Sequence, residues 1–147
     1  MPRVTRERTV SAPPEEVWRV VTDPYALPRW WPHVVRVEDV TDGAWTKVLR
    51  TPRGQSVRAD FTRLECEPPR WIVWRQELEE SPFERIFAAA VTELELSDVD
   101  DSGTRVAITS HETLRGRYKL GGWLVRRAAR RRLDDALLGL ERAVGAE

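Results

Sequence analysis

The polar residues best placed to do chemistry lie on a stretch of alternating sequence near the end of the chain. Ser110 and Glu112 fall on the same side as Val106 and Ile108, because successive residues of a strand face opposite sides. We expect this side to face the interior. A carboxyl group enclosed by apolar side chains can exchange a proton near neutral pH, so Glu112 is a candidate general acid or base. If Glu112 instead lies in solvent at the end of the strand, it does no chemistry.

A second alternating stretch contains Trp74 and Gln76, which share a face with Ile72. Gln76 could orient a ligand carbonyl, or it could be a satisfied polar group at the rim of a site. Arg75 and His111 fall on the opposite registers. They would reach the interior only if a β-bulge shifted the pleat.

Two aromatic pairs are further candidates for ligand contacts. Trp30 and Trp31 end a short, proline-bounded helical segment that should close one end of the fold, so one would line an entrance while the other fills the core. For each of them, plain core packing is the alternative to a ligand contact. Tyr25 and Tyr118 are the only phenols, and both fall in connecting segments. Each could donate a hydrogen bond to a ligand or lie exposed, and Tyr25 joins Glu112 and Gln76 as a catalytic candidate.

Metal and cofactor chemistry has little support in the sequence. His33, His111 and Cys66 are the only imidazoles and the only thiol, and no pair shows the spacing of metal ligands. Cys66 stands between Glu65 and Glu67, whose charges disfavour a thiolate nucleophile. There is also no glycine-rich phosphate loop and no nucleophile elbow. The sequence therefore predicts no metal and no cofactor.

Length and charge limit the remaining classes of function. The chain has 147 residues, the size of one domain with its own core, and its 24 Lys and Arg balance its 24 Asp and Glu. A net charge of zero gives no general attraction to nucleic acid or membranes. One cysteine excludes an intrachain disulfide, and no segment resembles a signal peptide or a membrane span. We expect a cytoplasmic protein with no nucleic-acid partner and no stable membrane insertion.

The elements that would position these residues follow from the hydrophobic periodicity. Helical spacing follows the first strand, period two governs the middle of the chain, and helical spacing returns at Trp123. Six successive strands joined by short turns indicate an antiparallel meander. The expected strands are 4–10, 35–40, 45–50, 57–62, 71–78, 83–96 and 104–113, and the expected helices are 14–22, 25–31 and 123–144.

The last helix carries one apolar stripe, with small residues at Ala129 and Ala136. A long helix can lie in the concavity of a strongly bent sheet, where small residues on it and at Ala88–Ala90 either leave a void or allow close packing. A void would hold a small hydrophobic molecule. The residues expected to line it are Trp30, Trp31, Phe61, Trp74, Gln76, Ala90, Ser110, Glu112, Ala129 and Leu133.

A basic stretch runs from Arg115 to Arg132, with eight basic residues and no acidic one. One interpretation is a solvated outer helix face, partly paired with the carboxylates at positions 93, 95, 134 and 135. The other is a contact with an acidic partner or with lipid headgroups.

The segment from Ala12 to Glu38 resembles the N-terminal signature of the START-like, Bet v 1-like (SRPBCC) superfamily. Within it, the nearest resemblance is to the polyketide cyclase/dehydrase and lipid-transport group. The matching residues are Ala12-Pro13, Val17-Trp18, Thr22-Asp23-Pro24, Trp30-Trp31-Pro32 and the Pro68-Pro69-Arg70 turn. The resemblance implies one ligand-binding domain over residues 1–147 with the α+β helix-grip fold. Its members bind lipids, sterols or polyketides, and some are cyclases or aromatases.

A different α+β cone fold also hosts polyketide cyclases, but it begins with its long helices and ends on strands. Here the longest predicted helix, 123–144, comes last, which favours the helix grip.

Three functions are open at this stage. The first is a carrier of a hydrophobic molecule, and the second is a cyclase or dehydratase that moves protons with Glu112, Gln76 or a tyrosine. The third is a protein-interaction adaptor that uses the outer face of the last helix. That face carries Arg126, Arg127, Arg130 and Arg131. The sequence patterns do not determine which ligand binds, whether a reaction is catalysed, or the oligomeric state.

Overall fold

The computed structural model describes residues 3–99 and 103–145. Its strands are β1 (Arg3–Val10), β2 (Val34–Thr41), β3 (Ala44–Arg50), β4 (Ser56–Glu67), β5 (Trp71–Glu77), β6 (Phe87–Asp98) and β7 (Thr104–Leu114). They form one antiparallel sheet in the order β1-β7-β6-β5-β4-β3-β2. The helices are α1 (Pro14–Val21), α2 (Leu27–Trp30) and α3 (Gly122–Gly145), with 3₁₀ segments at Pro24–Ala26 and Gly116–Gly121. This is the expected α+β helix grip; the predicted hairpin loop at 98–103 lies partly outside the described residues.

Both ends of α1 follow signals in the sequence. Pro14 occupies the first turn, with Glu15 and Glu16 beside the positive end of the helix dipole. At the other end, the hydroxyl of Thr22 donates a 2.7 Å hydrogen bond to the Trp18 carbonyl. The apolar face of α1 is buried, so the helix covers part of the core.

The start of β6 differs from the prediction. Residues 83–86 form a turn in which the Phe87 amide donates to the Phe83 carbonyl at 3.0 Å, and the strand begins only at Phe87. The register of the β6–β7 pair then shifts between Phe87 and Ala89. As a result Ala88 faces solvent while Ala90 is buried. The prediction missed this because alternation alone does not reveal a bulge.

The apolar stripe of α3 is buried as predicted, and it packs on β1, on β7 and on the short helices α1 and α2. Of the two alternatives for Ala129 and Ala136, the structure shows close packing, since both are almost fully buried in the core. Gly139 has the same role, because a Cβ at this position would lie 2.3 Å from the Trp30 carbonyl oxygen. The void between helix and sheet therefore does not lie at these small residues.

The outer face of α3 is exposed at Arg126, Arg127, Arg130 and Arg131. Among residues 3–99 and 103–145, no ion pair joins the basic stretch to the carboxylates at positions 93, 95, 134 and 135. Asp134 pairs instead with Arg6 of β1 at 2.8 Å, and Glu93 accepts a 2.6 Å hydrogen bond from the Trp71 indole. Among the described residues, no helix is long and apolar enough to cross a membrane.

Candidate functional site

A cavity of about 400 Å³ lies between the concave face of the sheet, the loops after α2, β3 and β5, and one side chain of α3. Its lining includes residues exposed to solvent, so it reaches the surface near Pro52 and Pro82. Most of the wall is apolar and aromatic. The apolar lining is Trp31, Leu49, Val57, Ala59, Phe61, Phe83, Phe87, Ala90 and Val91, and the main polar lining is Lys47, Gln76, Thr92, Ser110, Glu112 and Arg132.

Strand register brings the polar lining together. Ala90 pairs with Glu112 across β6 and β7, and two residues along the same strands Thr92 pairs with Ser110. Because side chains two apart share a face, both pairs point to the cavity. On the other side of the cavity Lys47 of β3 lies opposite Ala59 of β4. The small methyl group of Ala59 leaves space next to the lysine side chain.

Lys47 is the least expected feature of the site, since it is only 2% exposed. Its Nζ lies 4.2 Å from the ring centre of Trp31 and 4.3 Å from that of Phe61. Burial, together with the smaller effect of the positive charge of Arg132, lowers the pKa of Lys47 from 10.5 to about 7. In the part of the chain that the structure describes, the ammonium has no hydrogen-bond or ion-pair partner. The two ring faces are its described stabilising contacts.

Glu112 is buried on the cavity wall, with 8% of its surface exposed, and not solvated at a strand end. Arg132 of α3 reaches it, with Nη2 3.5 Å from Oε2 of the carboxylate and 3.4 Å from the Ser110 hydroxyl. These distances are at the outer limit of hydrogen bonding. Glu112 is therefore one half of a loose ion pair, and not the isolated carboxyl group that proton transfer would favour most.

An aromatic cluster supports the cavity from behind. Trp31 lines the cavity, and its ring meets Trp30 edge-on at 5.4 Å and Trp74 at 6.2 Å. Trp30 and Trp74 are core residues and do not line the cavity. Within residues 3–99 and 103–145, the buried indole N–H groups of Trp30, Trp45 and Trp74 have no hydrogen-bond partner. Trp45 and Trp74 also border a smaller cavity of about 170 Å³ under α1.

Several other predicted site residues lie away from the cavity. Ala129 and Leu133 are in the packed core, because α3 presses this part of its stripe against β1 and the short helices. Tyr25 is 67% exposed in the first 3₁₀ segment, and Tyr118 is half-buried with Arg117 over its ring. By contrast Phe61, Gln76, Ala90 and Ser110 lie on the cavity wall as expected.

The residues on the opposite faces of β5 and β7 do not reach the cavity. His111 of β7 lies 3.5 Å from Glu93, and Arg75 of β5 pairs with Glu77 at 3.1 Å. The described bulges do not bring Arg75 or His111 to the concave face. Nor do any three His, Cys, Asp or Glu side chains among the described residues converge so that they could hold a metal ion.

The sequence analysis did not select Lys47 or Arg132, although each had a signal. Lys47 alternates with Trp45 and Leu49, so the rule that turns those apolar side chains inward also turns the lysine inward. Arg132 follows Ala129 by three residues and precedes Ala136 by four, which puts it on the edge of the buried stripe. The sequence analysis missed this spacing because Arg132 stands at the end of a run of exposed arginines.

Comparison with known proteins agrees with this architecture. The profile of the family described as polyketide cyclase/dehydrase and lipid transport matches residues 1–145. A search of curated protein sequences finds no match to the chain.

Solved structures resemble the whole chain. A START superfamily protein from Mycobacterium smegmatis has a TM-score of 0.81 at 15% identity, covering 98% of this chain and 97% of its own. The Thermus thermophilus protein TTHA0849 has a TM-score of 0.78 at 24% identity, covering 99% and 98%. The Zhui aromatase/cyclase from a Streptomyces species has a TM-score of 0.71 at 21% identity, covering 97% and 90%. At these identities the likeness concerns the fold.

Proposed function

Because this chain belongs to the polyketide cyclase/dehydrase and lipid transport family, we propose that it binds a small, largely apolar molecule, such as a lipid or a polyketide, in the cavity described above. The observation that carries this proposal is the cavity itself, which is apolar over most of its wall and reaches the surface. Cavities of about this size and lining are the usual sites of small-molecule binding.

In this proposal the predicted residues divide into two groups. Trp31, Phe61 and Ala90 contact the apolar body of the ligand, and polar atoms are met by Gln76, Ser110 and Glu112. Trp30 and Trp74 act from behind the wall, where their rings pack edge-on against Trp31. Ala129 and Leu133 belong to the packed core and do not contact the ligand.

Filling the cavity tests the proposal. Ala90→Leu places a larger side chain in the cavity, whereas Ala88→Leu makes the same change on the outer face of the same strand. We expect the neutral fluorescent dye N-phenyl-1-naphthylamine to bind the wild-type protein and Ala88→Leu alike. Ala90→Leu should weaken binding about tenfold, equivalent to about 1.4 kcal/mol of contact free energy. The proposal fails if the wild-type protein does not bind the dye, or if both variants bind it equally well.

A cyclase or dehydratase activity is the second candidate, and the presence of Lys47 and Glu112 in one cavity favours it. In an aldol condensation, a base removes a proton next to one ketone and the resulting enolate carbon attacks a second ketone of the same chain. The base returns that proton to the alkoxide oxygen, which becomes a hydroxyl group. A second proton is then removed from the attacking carbon, and the hydroxyl group leaves with a proton as water. A nearby ammonium would stabilise the enolate, and Glu112 could carry the proton.

Incubation with a short poly-β-ketone thioester, followed by mass spectrometry for loss of water, tests this candidate. We expect Glu112→Gln to abolish turnover while dye binding persists. Absence of product above the uncatalysed reaction would remove the enzyme hypothesis and leave the binding function standing.

A further inference from the structure

The surroundings of Lys47 point beyond a purely apolar ligand. An ammonium has three N–H donors, and this one is buried on the cavity wall without an acceptor in the described part of the chain. Burying a charge without a partner costs free energy. The ring faces of Trp31 and Phe61 offset only part of this cost. An acceptor oxygen on the ligand would complete its environment.

The neighbouring charges favour an acidic oxygen over a neutral one. Among the lining residues Lys47 and Arg132 are basic and Glu112 is acidic, and Lys47, with a pKa of about 7, is partly protonated at pH 7. Arg132 pairs loosely with Glu112, which leaves the lysine as the charge without a counter-ion. The site therefore has an apolar body and a positive end.

We propose that the cavity selects an otherwise apolar ligand that carries an acidic oxygen, a carboxylate or an enolate, which Lys47 and Arg132 bind. This proposal rests on the proposed binding function and specifies the ligand class. A lipid carboxylate and a polyketide enolate share this chemistry, so the test must separate them.

Displacement of N-phenyl-1-naphthylamine measures the preference for the acidic oxygen. Decanoate is compared with decan-1-ol, and the acidic enol 4-hydroxy-6-methyl-2-pyrone with its 4-methoxy analogue. We expect the acidic member of at least one pair to bind about tenfold more tightly at pH 7, as one charge-assisted contact would give. The pair with the larger preference identifies the source. Lys47→Met should remove the preference while retaining the neutral ligands, and Lys119→Met, at an exposed lysine, should change nothing.

The outcomes separate the two levels of the proposal. Equal binding within both pairs, or a preference that survives in Lys47→Met, overturns the acidic-ligand proposal and leaves the cavity a binding site. A wild-type protein that does not bind the dye or any of the four compounds overturns both.

A different observation concerns the surface where α3 begins. Leu120, Trp123 and Leu124 are 87%, 61% and 53% exposed, which is unusual for large apolar side chains so close together. Helical spacing puts Trp123 on one face with Arg126 and Arg127, three and four residues on. We call this surface the basic apolar patch; it comprises Arg117, Leu120, Trp123, Leu124, Arg126 and Arg127.

The basic apolar patch lies close to the cavity along the chain. The Arg115 side chain donates a 3.2 Å hydrogen bond to the carbonyl of Phe87, which lines the cavity. The second 3₁₀ segment, which carries Leu120, starts at the next residue. Exposed tryptophan and leucine surrounded by cations are the features of a surface that binds anionic membranes peripherally.

We infer that the basic apolar patch docks on an anionic lipid bilayer. Co-sedimentation with vesicles tests this, using phosphatidylcholine alone or mixed with phosphatidylglycerol. We expect binding only to the mixed vesicles, and its loss at high salt, in the Arg126→Glu/Arg127→Glu variant and in Trp123→Ser. Arg53→Glu, in the exposed loop after β3, is the matched control and should still bind.

Three results would overturn the docking inference. These are no sedimentation with mixed vesicles, equal sedimentation with neutral vesicles, and a wild-type dimer in size-exclusion chromatography that Trp123→Ser dissociates. The last result would assign the patch to a second copy of the chain.

Discussion

The ammonium group of Lys47 lies where a charge is poorly solvated. Its surroundings offset only part of the free-energy cost of this desolvation. The ring faces of Trp31 and Phe61 stabilise the cation, while Arg132 disfavours it. Groups that bind ligands are often held in arrangements that lower the stability of the free protein. The lysine is therefore expected to lower the stability of the unliganded protein and to contribute to binding.

Replacement of Lys47 by methionine should raise stability, and by an amount that depends on pH. The pKa of Lys47 is about 7 in the folded protein and 10.5 in the reference state. Between these values the unfolded chain binds more protons, so folding of the wild-type protein strengthens as pH rises, by up to about 1.4 kcal/mol per pH unit. The advantage of Lys47→Met should therefore be largest at pH 6 and smaller at pH 9, measured by urea unfolding.

Lys119→Met, which removes an exposed lysine, is the control for this comparison of unfolding free energies. A stability difference between Lys47→Met and the wild-type protein that stays constant from pH 6 to pH 9 would mean that folding is not linked to this proton.

At the scale of elements, the short helix α2 holds Trp31 in place only because α3 supports it. Four residues cannot form a stable helix alone. Gly139 lets the backbone of Trp30 lie directly on α3, and the Arg29 side chain donates a 3.1 Å hydrogen bond to the Ala143 carbonyl. The wall of the cavity at Trp31 thus depends on a crossing of two helices.

Gly139→Ala should destabilise the protein, although alanine is the better helix former by about 1 kcal/mol. The new methyl group would lie 2.3 Å from the Trp30 carbonyl oxygen, so α2 must move, at a cost of about 1–3 kcal/mol beyond the gain in propensity. Thermal unfolding should show a lower Tm. Gly121→Ala is the control, because the added Cβ meets nothing within 4 Å. An unchanged Tm in Gly139→Ala would contradict the close contact between α2 and α3 at Gly139.

The elements that the sequence predicts well are those with local causes. Period-two alternation located the faces of β5 and β7, and the stripe on α3 identified its buried side. The turn at 83–86 and the bulge after Phe87 were missed, because both depend on pairing with β7, which is distant in sequence. The packing at Ala129 and Ala136 was undecidable for the same reason: a small side chain allows close approach without showing what approaches. Alternation was enough to predict that the Lys47 side chain points inward. The environment of this side chain could not be predicted, because it is formed by three separate elements.

At the scale of the whole molecule, the first strand meets the last strand and the last helix. β1 pairs with β7, and α3 packs over β1, so the closure of the fold joins residues more than a hundred positions apart. Two kinds of contact connect these elements. Exposed ion pairs join Arg6 to Asp134 and Arg8 to Glu141, and beneath them the apolar stripe of α3 is buried.

Adjacent substitutions on α3 separate these contributions. Leu133 is completely buried, so Leu133→Ala should lower the free energy of unfolding by about 2–5 kcal/mol through lost burial and a residual cavity. Asp134→Ala removes an exposed ion pair with Arg6 and should cost less than about 1 kcal/mol, because solvent screens the pair. Urea unfolding of both variants at low and high salt measures the difference, and only the effect of Asp134→Ala should shrink with salt. Similar losses for the two variants would mean that ion pairing, and not burial, closes the fold around its cavity.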